Sequence, residues 1–464
     1  MTEAPLVCDV LRAAAVQDPD RVLVADEHRS LTAAELWDYT SKLLGVLSAR
    51  DVVVGDRVAV IARRDAATVR LVIGLLATGR VPLVIDPARD DIGHRLERAR
   101  PVLVLDEREE VGLAPRAFDE EVLAGAPGDP RPPARDAAAY LIFTSGTTAM
   151  AKGVVTTQRG LAHAAVDWLA VYGVPAGHSG GRLQFAGTGF DVFYSAVVRA
   201  LTGRYRLFIC PEEVRLDPAR LVALLRKERI DMVELTPAVG ALVLNEIEAT
   251  GLGLPDLRQL AFGGEAWRVA QYRRALRLLP GRRIMNTYGL VETTVDNFVF
   301  DPGDALSGVP DEQIMAIGRP FPGCDVMLVD PETGVATTDE GELWIGGAYV
   351  AAGYLDEEGR MTPDALVVDV DVDEHGEDRP WFRTGDVARR DSGGTYWYVG
   401  RIGSVVKLHG QRVDLDAVDA IVSRSTGGGT CVTVLLDDQE TLVTVVVARP
   451  DVSLDADEVR AVVT

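Results

Sequence analysis

A chain of 464 residues with 47% hydrophobic and 25% charged side chains can bury a sizeable core and is long enough for two or more domains, which excludes disorder as its resting state. Its 70 acidic residues against 48 basic ones leave a formal charge of -22, a field that repels nucleic-acid backbones and anionic lipid surfaces. Cys8, Cys210, Cys324 and Cys431 are scattered without metal-ligand or disulfide-framework spacing, and neither a signal-like N-terminus nor a long apolar run is found, so a cytoplasmic protein is expected.

Residues 8–50 read as helical, ending in an amphipathic stretch where Thr32 is the N-cap and Glu35, three residues on, completes a capping box. From Asp56 the pattern runs RVAVIA, an apolar helix to Leu76, VPLVIDP, a helix around Arg95 and PVLVLD, which predicts a parallel sheet with helices on its faces. Residues 125–137, rich in proline and charge, form a loop before the buried strand AAYLIFT. Alternation continues through RYRLFICP, a helix over 218–228, DMVELTP, LRQLAFGGE and RIMNTYG; beyond Gly318, VMLVD, GELWIGG and GTYWYVGR are strands between Gly and Asp turns. The expected fold is α/β, with a large N-terminal core of α/β subdomains plus a β-rich subdomain over residues 1–402. A small α+β C-terminal domain follows over 403–464, in which RVDLDAVDAIVSR is a helix and which the chain leaves unfinished.

The stretch TSGTTAMAKGV, 144–154, directly follows the strand YLIF. Small hydroxyl and glycine residues after a strand leave backbone N–H groups and hydroxyls free to wrap an anionic oxygen, and a lysine adds a point charge. Thr144, Ser145, Gly146, Thr147, Thr148 and Lys152 are therefore phosphate-loop candidates, with a plain Ser/Thr/Gly turn as the alternative; the Walker pattern GxxxxGK[ST] is absent.

TSGTT…KG resembles the signature loop of the adenylate-forming superfamily, and further landmarks follow the family's order: LTAAEL from Leu31, LATGRVPLVIDP from Leu76, Phe190-Asp191, Gly263-Gly264-Glu265, NTYGLVETT from Asn286, GELWIGG from Gly341, RTGD from Arg383, and Gly400-Arg401. The segment beginning FDVF is similar to the amino-acid-activating adenylation domains of nonribosomal peptide synthetases. The resemblance implies an amino-acid adenylating ligase that uses ATP and Mg2+ to make aminoacyl-AMP and load a peptidyl carrier protein. It also admits a small MbtH-like activating protein as a partner. Tyr288 is implied to pack on adenine, Asn286 to hydrogen-bond near it, Glu292 to hold magnesium, Asp386 to take the ribose hydroxyls and Arg401 to reach ribose and phosphate. Gly264 and Glu265 are implied nucleotide neighbours. Thr147, Thr148, Lys152 and Glu292 are the residues nearest the chemistry. Read alone, Tyr288 would be a core residue and Asp386 a turn residue.

Substrate recognition is likewise implied by motif. Asp191 pairs with the α-ammonium, unless it is simply a helix N-cap; Val192, Ser195, Glu234, Ala261, Gly263, Thr287, Val295 and Asp296 line the rest of the pocket. Two carboxylates, Glu234 and Asp296, suit a cationic side chain, although Asp296 could instead accept from a hydroxyl or face solvent.

Three departures stand out. AMAKGV replaces the family's usual GKPKGV, which predicts weaker pyrophosphate contacts; Gly403 occupies the place of a hinge aspartate; and no lysine follows Lys407, so the family's C-terminal catalytic-lysine segment is missing. An acyl-CoA ligase, or a catalytically weakened nucleotide- or amino-acid-binding homologue, are the rival readings.

Overall fold

The computed structural model describes residues 3–144, 151–173, 180–302, 306–363, 380–402, 405–408, 411–415, 418–419, 422, 430–436 and 441–447. Contacts divide the chain into two compact units, Met1–Val326 with Trp344–Arg383, and Met327–Leu343 with Thr384–Thr464. The expected boundary at 402/403 thus falls inside the second unit rather than at its edge. The expected loop residues Ser145, Gly146, Thr147 and Thr148, and the hinge position Gly403, lie outside the described residues.

In the first unit the alternation of apolar strand and amphipathic helix produces the parallel sheets anticipated. Arg57–Ile61 pairs in parallel with both Val81–Ile85 and Leu103–Asp106, and the helix Ala66–Ala77 between them is buried over nearly all its surface. A larger sheet runs Val22–Ala25, Arg206–Ile209, Gly181–Gln184, Ile230–Leu235, Gln259–Phe262 and Arg283–Tyr288, all parallel, before two antiparallel strands, Phe298–Phe300 and Ala316–Pro320. An antiparallel hairpin, Ala138–Thr144 with Lys152–Thr157, is extended by Gly353–Leu355. Its apolar face packs on the three-stranded sheet through Phe143, Val155, Leu355, Ile61 and Leu83.

Two expected elements differ. Residues 8–50 are not helical throughout: helix Val7–Gln17 is followed by the strands Val22–Ala25 and Ser30–Thr32, and only then by helix Ala33–Ala49. The segment VLVA, with two β-branched valines, lies in the large sheet between Arg206–Ile209 and Ser30–Thr32, and that tertiary pairing overrides a helical reading. The capping box itself stands as expected, with Thr32 Oγ1 accepting from Glu35 N at 3.2 Å and Glu35 Oε2 accepting from Thr32 N at 2.7 Å. Further on, Gln411–Asp414 is not helical but an antiparallel partner of Val405–Leu408, so the expected helix over RVDLDAVDAIVSR loses its first residues to a hairpin.

In the second unit Asp386–Arg390 forms an antiparallel ladder with Tyr396–Arg401, and Thr430–Leu435 pairs with Leu442–Val447, in keeping with the strand-rich character expected after Gly318. Among the described residues no helix is long and apolar enough to cross a membrane.

Candidate active site

Open parallel sheets offer their ligands the carboxyl ends of their strands. Three neighbouring strands of the large sheet end in motif residues: Ile230–Leu235 carries Glu234, Gln259–Phe262 carries Ala261 and leads into Gly263, and Arg283–Tyr288 carries Thr287 and Tyr288. Glu234 and Ala261 are in register. A Cβ on Gly263 would lie 2.5 Å from Thr287 Oγ1, so the glycine allows the two strand ends to approach. Thr287 is buried and donates to Phe262 O at 3.2 Å.

The helix Asp191–Gly203 approaches this edge with Phe190 as its N-cap, so Asp191 is its first helical residue rather than the cap. Val192, next along, is half-buried. Asp191 is buried and accepts from Val192 N at 2.9 Å; no cation pairs with it among the described residues. Burial pushes its carboxyl up to about 7, the Val192 N–H pulls it back, and Glu292 and Glu234 add repulsion. Ser195 and Arg199 follow at four-residue spacing, hence on the same helix face. Arg199 Nη2 lies 2.6 Å from Glu234 Oε2 and 3.2 Å from Ser195 Oγ, and its guanidinium sits 4.8 Å from the centre of the Tyr172 ring. Burial opposes its charge, yet Glu234, Tyr172 and Asp296 hold Arg199 above its usual value. Tyr172 donates to Asp296 Oδ2 at 3.2 Å. Asp296 is buried, and burial first, then Glu234, raises its carboxyl well above the usual range.

The expectation that Glu234 and Asp296 await a substrate cation is thereby corrected. Glu234 is already matched by Arg199, and Asp296 is held toward its neutral form beside Tyr172. Asn286 is also bound within the fold: it accepts from Trp267 Nε1 and donates to Ala316 O, both at 2.8 Å, which favours a scaffold role over the expected hydrogen bond near a base.

A second cluster joins the phosphate-loop hairpin to the NTYGLVETT segment. Lys152, exposed at the start of its strand, sits with Nζ 5.3 Å from the Tyr354 ring, and Tyr354 donates to Glu292 Oε1 at 2.9 Å. Thr144 faces Lys152 across the hairpin. Tyr288 meets Phe298 edge-on, with ring centres 5.9 Å apart. Gly289 is pressed against the following loop, where an added Cβ would stand 1.6 Å from Val295 O. That loop holds two consecutive left-handed residues, Thr294 at φ 57° and the buried, β-branched Val295 at φ 73°. Gly264 and Glu265 are exposed, and Glu265 Oε2 accepts from Ala238 N at 3.3 Å, in the first turn of the helix Pro237–Thr250.

A carboxylate with one oxygen engaged by a tyrosine leaves a hard oxygen for Mg2+, which takes one or two carboxylates and completes its shell with water and phosphate. Glu292 fits that pattern. In the second unit, Asp386 is buried next to Gly385 and its backbone N–H donates to Thr384 Oγ1 at 3.0 Å, while Arg401, opposite it in the ladder, places Nε 3.4 Å from Asp386 Oδ1. A buried carboxylate oriented this way can accept from two vicinal hydroxyls.

The family profile described as AMP-binding enzyme matches residues 11–355. The chain belongs to the AMP-binding enzyme family. Its relatives include the probable non-canonical nonribosomal peptide synthetase CymA of Salinispora arenicola, 34% identical over 412 residues, 88% of this chain and 5% of that protein. This AMP-binding enzyme thus spans a small part of the curated relatives it matches. In fold it is similar to NpsA of Klebsiella oxytoca in complex with 3-hydroxyanthranilyl-AMSN, with a TM-score of 0.80 at 20% identity, covering 98% of this chain and 91% of that one. It is also similar to the AMPPNP-bound form of the peptide synthetase FmoA3, with a TM-score of 0.75 at 24% identity over 91% of this chain and 45% of that one.

Three residues escaped the sequence reading: Arg199, Tyr172 and Tyr354. Arg199 left one signal, a lone charge in the apolar run AVVRAL, eight positions after Asp191.

Proposed function

We propose that this AMP-binding enzyme activates an α-amino acid as its aminoacyl-AMP and passes the acyl group to the phosphopantetheine thiol of a peptidyl carrier protein. The observation that carries the amino-acid reading is Asp191, a buried carboxylate with no cation paired to it among the described residues and with its carboxyl pushed up to about 7. A substrate ammonium is the group that would complete it. Kinship with a peptide synthetase supports the carrier-protein half.

In this reading a carboxylate oxygen of the amino acid bonds to the α-phosphorus of ATP as the bond to the β-phosphate bridging oxygen breaks and pyrophosphate leaves. The protein contributes position and charge. Asp191 fixes the α-ammonium, Tyr288 offers its ring to adenine, Asp386 and Arg401 take the ribose, and Thr144 to Thr148 with Lys152 cradle the phosphates. Glu292 holds magnesium, whose charge would ease departure of the pyrophosphate. Gly264 and Glu265 border the nucleotide. The preference for a cationic side chain, inferred from Glu234 and Asp296, loses its main support once Arg199 is paired with Glu234.

Pyrophosphate exchange with an α-amino acid, its deamino analogue and aryl acids tests the proposal, with Asp191→Ala alongside. Exchange confined to the amino acid and lost in the variant is expected; equal exchange with deamino acids would favour the acyl-CoA ligase reading. Carrier loading followed by mass spectrometry, with and without an MbtH-like protein, tests the partners.

A further inference from the structure

We infer that Arg199 is a specificity-determining residue, a built-in cation that occupies the place of a basic substrate side chain and restricts the enzyme to amino acids with a short, neutral side chain bearing an acceptor oxygen. The inference rests on the amino-acid reading of Asp191.

Asp191, Ser195 and Arg199 form one stripe along the helix Asp191–Gly203. Side chains on a helix lean toward its N-terminus, and the Arg199 guanidinium does so, donating to Ser195 Oγ at 3.2 Å one turn closer to Asp191. The charge of Arg199 is therefore brought back toward the level at which the α-carbon of the substrate would sit. Ser195, small and fully buried, lies between Asp191 and the guanidinium on this face.

Its partner is Glu234, at 2.6 Å, with 5% of the Arg199 side chain and 11% of the Glu234 side chain exposed. Asp296 is kept toward neutrality by burial and by Glu234, and is tied to Tyr172, whose ring lies against the same guanidinium. Arg199 and Glu234 cancel, so the carboxylate that the arginine meets is not free for a substrate cation. An ornithine or lysine ammonium would meet a fixed cation whose carboxylate partner is already taken. Arg199 Nη1, by contrast, is buried with no hydrogen-bond partner, a cost that an amide or hydroxyl oxygen from the substrate would relieve.

The test is calorimetric binding of non-hydrolysable aminoacyl-sulfamoyl adenosines carrying serine, threonine, asparagine, valine, ornithine and lysine, with an aryl analogue, to the parent, Arg199→Met and Arg199→Lys. Binding needs no turnover. The parent should bind the best of the serine, threonine and asparagine analogues about 100-fold more tightly than ornithine or lysine, as expected of a site that leaves a buried charge unmatched. Arg199→Met frees Glu234 and should gain at least about tenfold for ornithine or lysine over the neutral analogues, whereas Arg199→Lys should keep the parent's order. Preference of the parent for a basic or purely aliphatic side chain overturns the inference, as does an unchanged order in a folded Arg199→Met protein. Binding of the aryl analogue above every aminoacyl analogue, or of none, overturns the amino-acid reading as well, which distinguishes the two failures. Thermal unfolding of each variant identifies loss of fold, and if Arg199→Met does not fold, a basic-preferring Arg199→Lys protein still decides against the inference.

Discussion

Replacing Asp191 with asparagine should stabilise the enzyme at alkaline pH while weakening substrate binding. The carboxyl of Asp191 moves from 3.8 to about 7, chiefly because burial disfavours its charge. A carboxyl whose folded value exceeds its unfolded one binds more protons in the folded state between those two values, so stability falls as pH rises through about 4 to 7 and the full penalty persists above. At about 1.4 kcal/mol per unit, the shift corresponds to a penalty of about 4 kcal/mol at pH 8.5. The first-turn position returns up to about 1 kcal/mol through the helix dipole. The asparagine amide keeps the shape of the carboxylate and carries no charge. Thermal or denaturant unfolding of Asp191→Asn against the parent should therefore show a gain of a few kcal/mol at pH 8.5 that shrinks toward zero near pH 4. Because the proposed ammonium pairing requires the ionised form, titrations at pH 7 in buffers of different ionisation enthalpy should show about half a proton released per amino acid bound by the parent and none by the variant. A difference in stability that does not change with pH would refute the reasoning, since it would mean that Asp191 is already ionised and satisfied.

Asp386→Ala should weaken MgATP binding by roughly 1.5–3 kcal/mol, the worth of hydrogen bonds to a charged group, as read by calorimetry. Tyr354→Phe removes the bond that orients Glu292 and should raise the magnesium needed for half-maximal exchange by about tenfold, with Glu292→Gln raising it further. Gly289→Ala would drive a methyl against Val295 O and should cut exchange by more than about tenfold while the overall fold survives. Thr32→Ala, far from these residues in sequence, should cost about 1 kcal/mol of stability through loss of its cap and leave exchange unchanged.

The sequence carries whatever is local or periodic. The capping box at Thr32 and Glu35 and the apolar strands in DMVELTP, LRQLAFGGE and RIMNTYG each follow from spacing, and the order of motifs points to the family. Pairings between distant segments are not legible. Val22–Ala25 is a strand because Arg206–Ile209, some 180 residues away, offers it an edge. Glu234 looked like a carboxylate awaiting a substrate because nothing in sequence says that an arginine on another element reaches it. Asn286 similarly bonds Trp267 and Ala316, neighbours that folding alone supplies.

The left-handed pair Thr294–Val295 bears on attempts to retarget this enzyme. Val295 is both a proposed pocket position and a β-branched residue in a conformation that costs of order 1–3 kcal/mol, so a change there alters backbone preference as well as side-chain shape. Glycine or asparagine would let the loop settle and carry the neighbouring Asp296 with it; isoleucine would keep the tension and fill the space. A library that varies pocket residues one at a time would read such coupled movement as a change of taste at position 295, and the useful unit of exchange is the whole loop from Gly289 to Asp296.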